Sequence, residues 1–272
     1  MPNYNALIER NSGYISEVVQ HKLRSTALLI AGCGVGSLLA EVAVRLGCEN
    51  LTLLDGDTVD IHNLNRQGYI SSDISRYKVE ALADRLRAIN PDARIEPLCL
   101  FLNSSNVEAL VAKSDVIFDT IDFADLPAII ALHDEACRQR KPVISGMNIG
   151  WGAGVVYFPV DGACSYRDLF ELPRTGPVEG YSYAEQFAIF VNKAAHMLPA
   201  EVKEVVRAGL KKMEDGRPCP MAQVAPGAYC LAAMAATALV RYLSGLSIAP
   251  APQIIYSDLS RLSASLEFSF DI

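Results

Sequence analysis

A glycine-rich turn and a later aspartate lie in the segment LLIAGCGVGSLLAEVAVRLGCENLTLLDGDTVDIHNLNRQ, residues 28–67. Gly32, Gly34 and Gly36 stand between an apolar run and a predicted helix, where they permit a tight turn and a close approach of phosphate to backbone N–H groups. Asp55 ends the next apolar run, about 20 residues after the glycine turn. Nucleotide-binding sequences place at this spacing a carboxylate that accepts hydrogen bonds from the ribose hydroxyls. This spacing favours a nucleotide site over a tight turn that binds no ligand.

Polar side chains crowd the segment that follows Asp55. A dehydrogenase carries out its chemistry at the nicotinamide and has no use for several cations at this point. Amide, guanidinium and ammonium groups together would instead clamp the β- and γ-phosphates of a nucleoside triphosphate, where charge builds on leaving pyrophosphate. Each charge alone is typical of a solvated surface, but the cluster favours phosphate binding. Its members are Asp57, Asn63, Arg66, Gln67 and Lys78.

A second acidic cluster, Asp119, Asp122 and Asp125, ends a later apolar run in VIFDTIDFADL. Open α/β sheets bind ligands at the carboxyl ends of their strands, so these side chains are expected near the glycine turn. Mg²⁺ prefers one or two carboxylates together with phosphate oxygens and water, so one of the three is a candidate metal ligand. For Asp125 we favour the N-cap of the helix that begins at LPAII.

These residues have to be positioned by alternating strands and helices. Such alternation predicts an α/β fold, a doubly wound, Rossmann-like and mostly parallel sheet with helices on both faces. Strands are expected at 26–31, 50–54, 94–102, 115–120, 142–146 and 154–160. Helices are expected at 36–46, 78–90, 106–113 and 126–140.

The chain divides into three predicted segments. Residues 1–24 read as an N-terminal helical arm, and residues 25–160 as the nucleotide-binding domain. Residues 161–272 read as an acceptor-side extension packed on the same domain. This extension should contain crossover segments, helices at 199–216 and 224–240, and an antiparallel pair at 252–258 and 264–270.

Composition excludes several classes of function. The chain has 272 residues and a net charge of −7, which argues against an electrostatic grip on nucleic acid or anionic membrane. Its seven cysteines are an odd number without a CxxC pair, so we expect a reducing, cytoplasmic location. No signal peptide is visible, and the apolar run at 224–240 contains Pro and Gly, which favours a buried helix over a membrane span.

The residues resemble the ThiF/MoeB/HesA superfamily, ATP-dependent adenylating enzymes that include the ubiquitin-activating enzymes. The resemblance covers about residues 5–160 and returns at 217–245. The pattern D-x-D-x-V-x-x-x-N-L-x-R-Q followed by Lys is more specific than the glycine turn. Matching segments are LLIAGCGVGS, LTLLDGDTVDIHNLNRQ, YKVEALADRLRAINP, DVIFDTIDF and PVISG.

The resemblance implies roles for individual residues. Asp55 would bind the ribose; Asn63, Arg66 and Lys78 would bind the triphosphate of ATP. Asp122 would hold Mg²⁺ beside the α-phosphate. The resemblance also implies a homodimer, in which Arg10 enters the active site of the partner. The implied reaction is attack by a carboxylate on the α-phosphate, which gives an acyl-adenylate and pyrophosphate.

The sequence also departs from the family pattern. The glycine turn is one residue shorter than GxGGxG, and Phe123 stands where an Asn commonly follows the magnesium aspartate. The paired CxxC zinc ligands are missing, since CSYRD offers Cys164 alone, so no structural zinc is expected. Cys219 lies roughly where relatives carry the thiol that accepts the acyl group. It is either that thiol or a structural cysteine.

The leading interpretation is ATP-dependent adenylation of a carboxylate. The acceptor is either a peptide or small acid, or the C-terminus of a small sulfur-carrier or ubiquitin-like protein; loss of the zinc pairs favours the former. One alternative is an NAD(P)-dependent oxidoreductase that uses the same turn and Asp55. Another is a degenerate nucleotide-binding sensor, which Phe123 and the short turn would suit.

Overall fold

The structure, a computed structural model, describes residues 4–162, 164–178, 181, 188–189, 191–193, 198–214 and 222–260. Strands in this part of the chain are β1 (Ala27–Ala31), β2 (Asn50–Leu54), β3 (Arg94–Leu98), β4 (Val116–Asp119), β5 (Val143–Ile149), β6 (Gly152–Phe158) and β7 (Ile255–Asp258). Its α-helices are α1 (Tyr4–Leu7), α2 (Glu17–Ser25), α3 (Gly36–Arg45), α4 (Lys78–Ile89), α5 (Val107–Ala112), α6 (Leu126–Arg138), α7 (Tyr166–Leu169), α8 (Ala200–Glu214) and α9 (Ala225–Leu243).

The strands of the described residues form one seven-stranded sheet in the order β3-β2-β1-β4-β5-β6-β7. The first five strands in this order, β3, β2, β1, β4 and β5, are parallel to one another. Strand β6 pairs antiparallel with β5, and β7 pairs antiparallel with β6. One hydrophobic cluster includes residues of α2, α3, α4 and α9, and another includes residues of α5, α6, α7 and α8. The predicted doubly wound, mostly parallel sheet with an antiparallel extension is confirmed.

The strand order reverses at β1, and this reversal creates a crevice at the carboxyl ends of the strands, where the glycine turn and the acidic cluster were expected. The chain leaves β1 towards β2 and β3 on one side, then returns to place β4 and β5 on the other side. Connections on opposite sides of β1 therefore diverge above the carboxyl ends of β1 and β4. The glycine turn follows β1 directly, and Thr120 follows β4 directly.

The sixth strand differs from its prediction in bounds and direction. It was expected at 154–160 as one more strand of the alternation, but it spans Gly152–Phe158 and pairs antiparallel with β5. Only Gly150 and Trp151 separate the two strands, and Gly150 has a φ of +56°. A connection this short can form only an antiparallel hairpin, because a parallel crossover needs about a dozen residues.

The third strand is shorter than predicted and ends at Leu98 instead of residue 102. Its ladder with β2 stops where Leu54 pairs with Leu98, because the chain turns away at Asp55. As the edge strand, β3 has no second neighbour in the described residues to extend it. Leu100 and Phe101 therefore lie beyond the sheet and are exposed.

The N-terminal arm is helical in pieces instead of continuously. Helix α1 and a short 3-10 turn, Glu9–Asn11, precede Gly13, whose φ of +90° interrupts the helix. Helix α2 then starts anew, with the Ser16 hydroxyl accepting a hydrogen bond from the Val19 N–H (3.3 Å). Glycine adopts this backbone conformation without a steric penalty, so it separates two short helices here.

The alanine-rich helix α9 packs against β5, β6 and α3. Its small side chains allow the helix to approach the sheet closely, and a Cβ on Gly227 would contact the carbonyl of Gly152 at 2.8 Å. Among the described residues, no helix is both long and apolar enough to cross a membrane. The predicted extended segment at 264–270 lies outside the described residues.

Candidate nucleotide-binding site

A cavity of about 490 Å³ lies over the carboxyl ends of β1, β2 and β4. Side chains of α8 and the residues just before α9 close its far end. The cavity brings together most of the residues that the sequence predicted for nucleotide binding. It is lined by Gly32, Gly34, Asp55, Asp57, Arg66, Gln67, Lys78 and Asp122.

The glycine turn packs directly on the end of β4. Gly32 has a φ of +88°, and a Cβ placed on it would overlap the backbone carbonyl of Thr120. A Cβ on Gly36 would meet the Thr120 hydroxyl and lie 3.1 Å from Ile30 Cγ2. The absence of side chains at Gly32 and Gly36 thus allows β1, α3 and β4 to meet. Gly36 does not line the cavity in the described part of the chain.

The shortened turn is tied to residues 55–77, which we name the polar loop. Ser37 Oγ donates to the Gly34 carbonyl (2.6 Å) and accepts from the Gly68 N–H (2.8 Å). The Tyr69 hydroxyl donates to the Cys33 carbonyl (2.6 Å). Burial raises the pKa of Tyr69, so this hydroxyl keeps its proton and remains a donor. These bonds fix the polar loop against the start of α3.

Asp55 is held by backbone groups on both oxygens. Its Oδ2 accepts from the Cys33 N–H (2.7 Å) and its Oδ1 from the Asp57 N–H (2.9 Å). Burial raises the pKa of Asp55, and the Lys78 ammonium and the two N–H donors oppose that rise. Each oxygen keeps a further lone pair, and the residue lines the cavity, so Asp55 is fixed as an acceptor for a hydroxyl.

Lys78 begins α4 and links the two aspartates that follow β2. Its Nζ lies 2.7 Å from Asp57 Oδ2 and 3.9 Å from Asp55 Oδ2, and its side chain is 8% exposed. The Lys78 N–H also bonds the Asp57 carbonyl (3.0 Å). A buried ammonium needs partners of opposite charge, and this one has them while still lining the cavity. The predicted contact of Lys78 with the triphosphate stays a prediction.

Arg66 is fixed by a residue that the sequence did not reveal, Gln223. Arg66 Nε donates to Gln223 Oε1 (2.5 Å), and its NH1 donates to the His62 carbonyl (2.8 Å) and to Asn65 Oδ1 (2.9 Å). Burial lowers the pKa of Arg66, and the charge of Asp122 opposes that shift. An arginine remains protonated in any such setting, so the cavity receives a positioned cation.

Asn63 lies behind the cavity and not in its lining. Its Oδ1 accepts from the Asp60 N–H (2.9 Å), and its carbonyl accepts from the N–H groups of Arg66 (3.1 Å) and Gln67 (3.0 Å). It is buried and shapes the turn that carries Arg66. Its predicted contact with the triphosphate stays a prediction.

Asp122 and Asp125, which follow β4, have different surroundings. Asp125 Oδ1 accepts from the Ala128 N–H (3.2 Å), so the predicted N-cap of α6 is confirmed. Asp122 is exposed and lines the cavity, and its Oδ1 accepts from the Ala124 N–H (3.0 Å). Phe123 also lines the cavity and contacts the ring of Phe170, with 5.1 Å between centroids. In the described residues, no group of three or more His, Cys, Asp or Glu is arranged to hold a metal ion.

Arg10 lies far from this cavity. It sits in the 3-10 turn whose Asn11 Nδ2 donates to the Leu46 carbonyl (3.2 Å), just beyond the carboxyl end of α3. Helix α3 has 10 residues and is therefore about 15 Å long, and its other end is at the glycine turn. Arg10 is exposed and does not reach its own cavity. Cys219 lies outside the described residues.

Comparison with known proteins identifies the family. The ThiF family matches residues 8–267, nearly the whole chain. The chain belongs to the ThiF family. The resemblance found in the sequence is thereby confirmed.

Two curated relatives of this ThiF-family chain are adenylyltransferases or activating enzymes by name. The SAMP-activating enzyme E1 of Haloferax volcanii is 32% identical over 162 residues, 58% of this chain and 59% of that protein. The molybdopterin-synthase adenylyltransferase of Escherichia coli is 33% identical over 156 residues, 56% of this chain and 62% of that protein. The chain thus spans about three fifths of the length of these relatives.

Solved structures share the fold at lower identity. The crystal structure of PaaA has a TM-score of 0.67 and 23% identity, and the match covers 94% of this chain and 78% of that chain. The structure of Escherichia coli MccB with ATP has a TM-score of 0.63 and 18% identity, covering 85% of this chain and 60% of that chain. At such identities the likeness concerns the fold alone.

Three further buried polar residues adjoin the residues that line the cavity. The sequence suggested no partner for Asp119 within the chain, and it did not reveal His133 or Ser145. Asp119, His133 and Ser145 bond one another on β4, α6 and β5. A single histidine in a helix and a single serine in a strand carry no spacing signal. The pairing of β4 with β5 brings Asp119 beside Ser145, and the packing of α6 adds His133.

The contact between Gly32 and β4 predicts a large loss of stability on substitution. Gly32→Ala should lower the free energy of unfolding by about 2–5 kcal/mol, because a Cβ adds both backbone strain at positive φ and an overlap with Thr120. Gly13→Ala is the matched control, since Gly13 has a φ of +90° and nothing within 4 Å of its Cβ position. It should lose only the strain, about 1–2 kcal/mol. Equal losses in urea unfolding would show that the overlap is relieved without cost.

Proposed function

We propose that this ThiF-family chain binds ATP with Mg²⁺ in the cavity and adenylates the carboxylate of an acceptor, releasing pyrophosphate. The observation that carries the proposal is the convergence in one cavity of a fixed acceptor, two partnered cations and an exposed carboxylate. These are Asp55, Arg66, Lys78 and Asp122. Relatives named as adenylyltransferases support the same reaction.

The nucleotide would lie along the glycine turn. Gly32 and Gly34 line the cavity, so a phosphate would lie against the backbone of the turn at the start of α3, where N–H groups would face it. Asp55 would accept the ribose hydroxyls with its remaining lone pairs. Gln67 lines the cavity beside Gly34, and its Oε1 has no partner in the described residues, so it is a candidate to meet a hydroxyl or N–H donor.

Arg66, Lys78 and Asp122 would act on the phosphates. As pyrophosphate leaves, negative charge grows on the bridging and terminal oxygens, and the two cations would stabilise it. Asp122 fits a Mg²⁺ ligand, because that ion takes one or two protein carboxylates with phosphate oxygens and water. When bound, Mg²⁺ would neutralise phosphate charge; the side chains hold and orient the triphosphate. Asn63 would support the turn that carries Arg66.

The acceptor would enter from the other end of the cavity. Met147 and Trp151 of the β5–β6 hairpin, with Val202 and Val205 of α8, give that end an apolar lining. Residues 161–272 would thus form the acceptor side of the site. The acceptor would be a peptide, a small acid or the C-terminus of a small carrier protein, in the cytoplasm, with no part for nucleic acid or membrane. The names of the relatives favour a protein or peptide carboxyl group.

Nucleotide choice tests the proposal first. Mg·ATP at a hundredfold excess over its Kd should add about 2.7 kcal/mol of stability, which raises Tm by about 5–10 °C. NADH should leave Tm unchanged. Lys78→Met should abolish the shift because it removes a phosphate-facing cation. Lys113→Met should keep it, since Lys113 pairs with Glu96 away from the cavity.

Two results would redirect the assignment. Stabilisation by NADH and none by Mg·ATP would favour an oxidoreductase. Stabilisation by Mg·ATP without ATP–pyrophosphate exchange would favour a nucleotide sensor, provided the acceptor panel includes amino acids, short peptides and small proteins ending in Gly-Gly.

Arg10 is proposed to act across a homodimer. Its backbone lies about the length of α3 from the glycine turn, a span of about 15 Å that an arginine side chain does not bridge. A phosphate contact by Arg10 therefore requires a second chain. In a two-fold dimer, each arm would supply Arg10 to the cavity of its partner.

Mixed dimers test this arrangement. Arg10→Ala and Asp122→Ala should each weaken Mg·ATP binding. After random exchange of equal amounts, half of the dimers are mixed and each has one intact site, so about a quarter of all sites should bind tightly again. Calorimetric titration counts these sites. A monomer by light scattering that binds Mg·ATP fully would refute the arrangement.

Cys219 is proposed as a candidate thiol for the step after adenylation. If it takes the acyl group, Cys219→Ala should retain pyrophosphate exchange and lose a covalent acyl-enzyme seen by mass spectrometry. Cys137→Ala, which changes an exposed cysteine on α6, is the control. Loss of exchange in a folded Cys219→Ala chain would place the thiol in the adenylation step. No change in either reading would mean that the acceptor's nucleophile attacks the adenylate directly.

A further inference from the structure

A buried hydrogen-bonded trio joins the two strands that end in the cavity. Asp119 and Ser145 are register partners on the parallel strands β4 and β5. Asp119 Oδ2 accepts from Ser145 Oγ (2.8 Å) and lies 3.0 Å from His133 Nε2. The same Nε2 lies 3.1 Å from Ser145 Oγ. All three residues are buried.

Aromatic side chains close this trio off from solvent. The His133 ring contacts Phe158 edge-on at 4.7 Å and Tyr166 at 4.4 Å between centroids. Tyr166 stacks on Phe170, which in turn contacts the cavity residue Phe123. Polar groups buried among apolar rings cannot form hydrogen bonds to water in place of those they make with one another. Breaking one of these bonds is therefore costly.

The trio is not arranged as a hydrolytic triad. In such a triad the histidine bonds serine and aspartate through different nitrogens, and the serine hydroxyl is open to substrate. Here Nε2 faces both partners, and Ser145 donates to Asp119 from a buried position. The arrangement instead supplies Asp119 with two donors on one oxygen.

The second oxygen of Asp119 bonds the backbone of a residue that lines the cavity. Asp119 Oδ1 accepts from the Ile121 N–H (3.2 Å), which shapes the turn that leaves β4. Ile121 and Asp122 both line the cavity, and Gly146 follows Ser145 into it. Thr120 is held from the other side, since its Oγ1 donates to the Gly32 carbonyl (2.6 Å). The Asp119 carboxyl group is thus bonded to the turn that carries Asp122.

We infer that His133 is a positioning residue for nucleotide binding: with Ser145, it locks the Asp119 carboxyl group so that the turn after β4 presents Asp122 to the cavity. The inference rests on the proposed function for its link to Mg·ATP. Its structural half, the link from His133 to the Ile121 amide, stands on contacts within the chain alone.

The test compares side chains of similar size with and without a donor. His133→Gln keeps an N–H donor at the reach of Nε2, whereas His133→Leu removes it. In the nucleotide-free chain, His133→Leu should speed hydrogen exchange of the Ile121 amide by about tenfold or more, since Asp119 loses a charge-assisted donor. It should also weaken Mg·ATP binding by about tenfold. His133→Gln should stay within about threefold of the unaltered chain on both readings.

Two further variants keep the test decisive. Leu239→Ala, in the fully buried part of α9, is the control for lost stability alone. It should leave Mg·ATP affinity unchanged, and it should not speed the exchange of the Ile121 amide more than that of other amides. Ser145→Ala removes the other Asp119 donor with little change in volume. It should shift both readings in the same direction as His133→Leu, and it decides the matter if the leucine variant does not fold.

The outcomes separate the two claims. Unchanged Ile121 exchange in both folded His133→Leu and Ser145→Ala would overturn the inference, as would a glutamine variant as impaired as the leucine variant. If the unaltered chain fails to bind Mg·ATP, the proposed function falls. Ile121 exchange then decides the positioning role alone.

Discussion

Contact between the backbones of Gly32 and Thr120 is the constraint on which the site depends. The Thr120 N–H bonds the Ala31 carbonyl (2.9 Å), its hydroxyl bonds the Gly32 carbonyl (2.6 Å), and no side chain intervenes. Strands β1 and β4 are neighbours whose connections diverge in opposite directions. Because their ends touch, the polar loop after β2 and the acidic turn after β4 open onto the same cavity.

Both cations that line the cavity in the described part of the chain have partners within the chain. Lys78 is held by Asp57, and Arg66 by Gln223 and the His62 carbonyl. Long charged side chains lose much conformational freedom when they bind an anion. Here folding has already ordered both side chains, so binding an anion would cost less conformational entropy. Donors fixed in advance also stabilise developing charge without reorganisation. The proposed phosphate chemistry therefore relies on a preformed site.

The sequence predicted those parts of the site that local spacing encodes. The glycine turn, Asp55 and Lys78 fall at the junctions of strands and helices, so their positions follow once the alternation is recognised. Gln223 and His133 were missed because tertiary packing alone gives them their partners; Gln223 meets Arg66 across 157 residues. The direction of β6 was also hidden, since an apolar run has the same pattern whether it pairs parallel or antiparallel.

The bond between Arg66 and Gln223 orders events during synthesis. The glycine turn and polar loop leave the ribosome long before Gln223, which follows Arg66 by 157 residues. At typical elongation rates of 5–20 residues per second, that interval is about 8–30 s. A nascent chain therefore carries an arginine without its Gln223 anchor until the start of α9 emerges. Arg66 can therefore be fixed at the cavity only after the segment that carries Gln223 has been synthesised and has packed beside the polar loop.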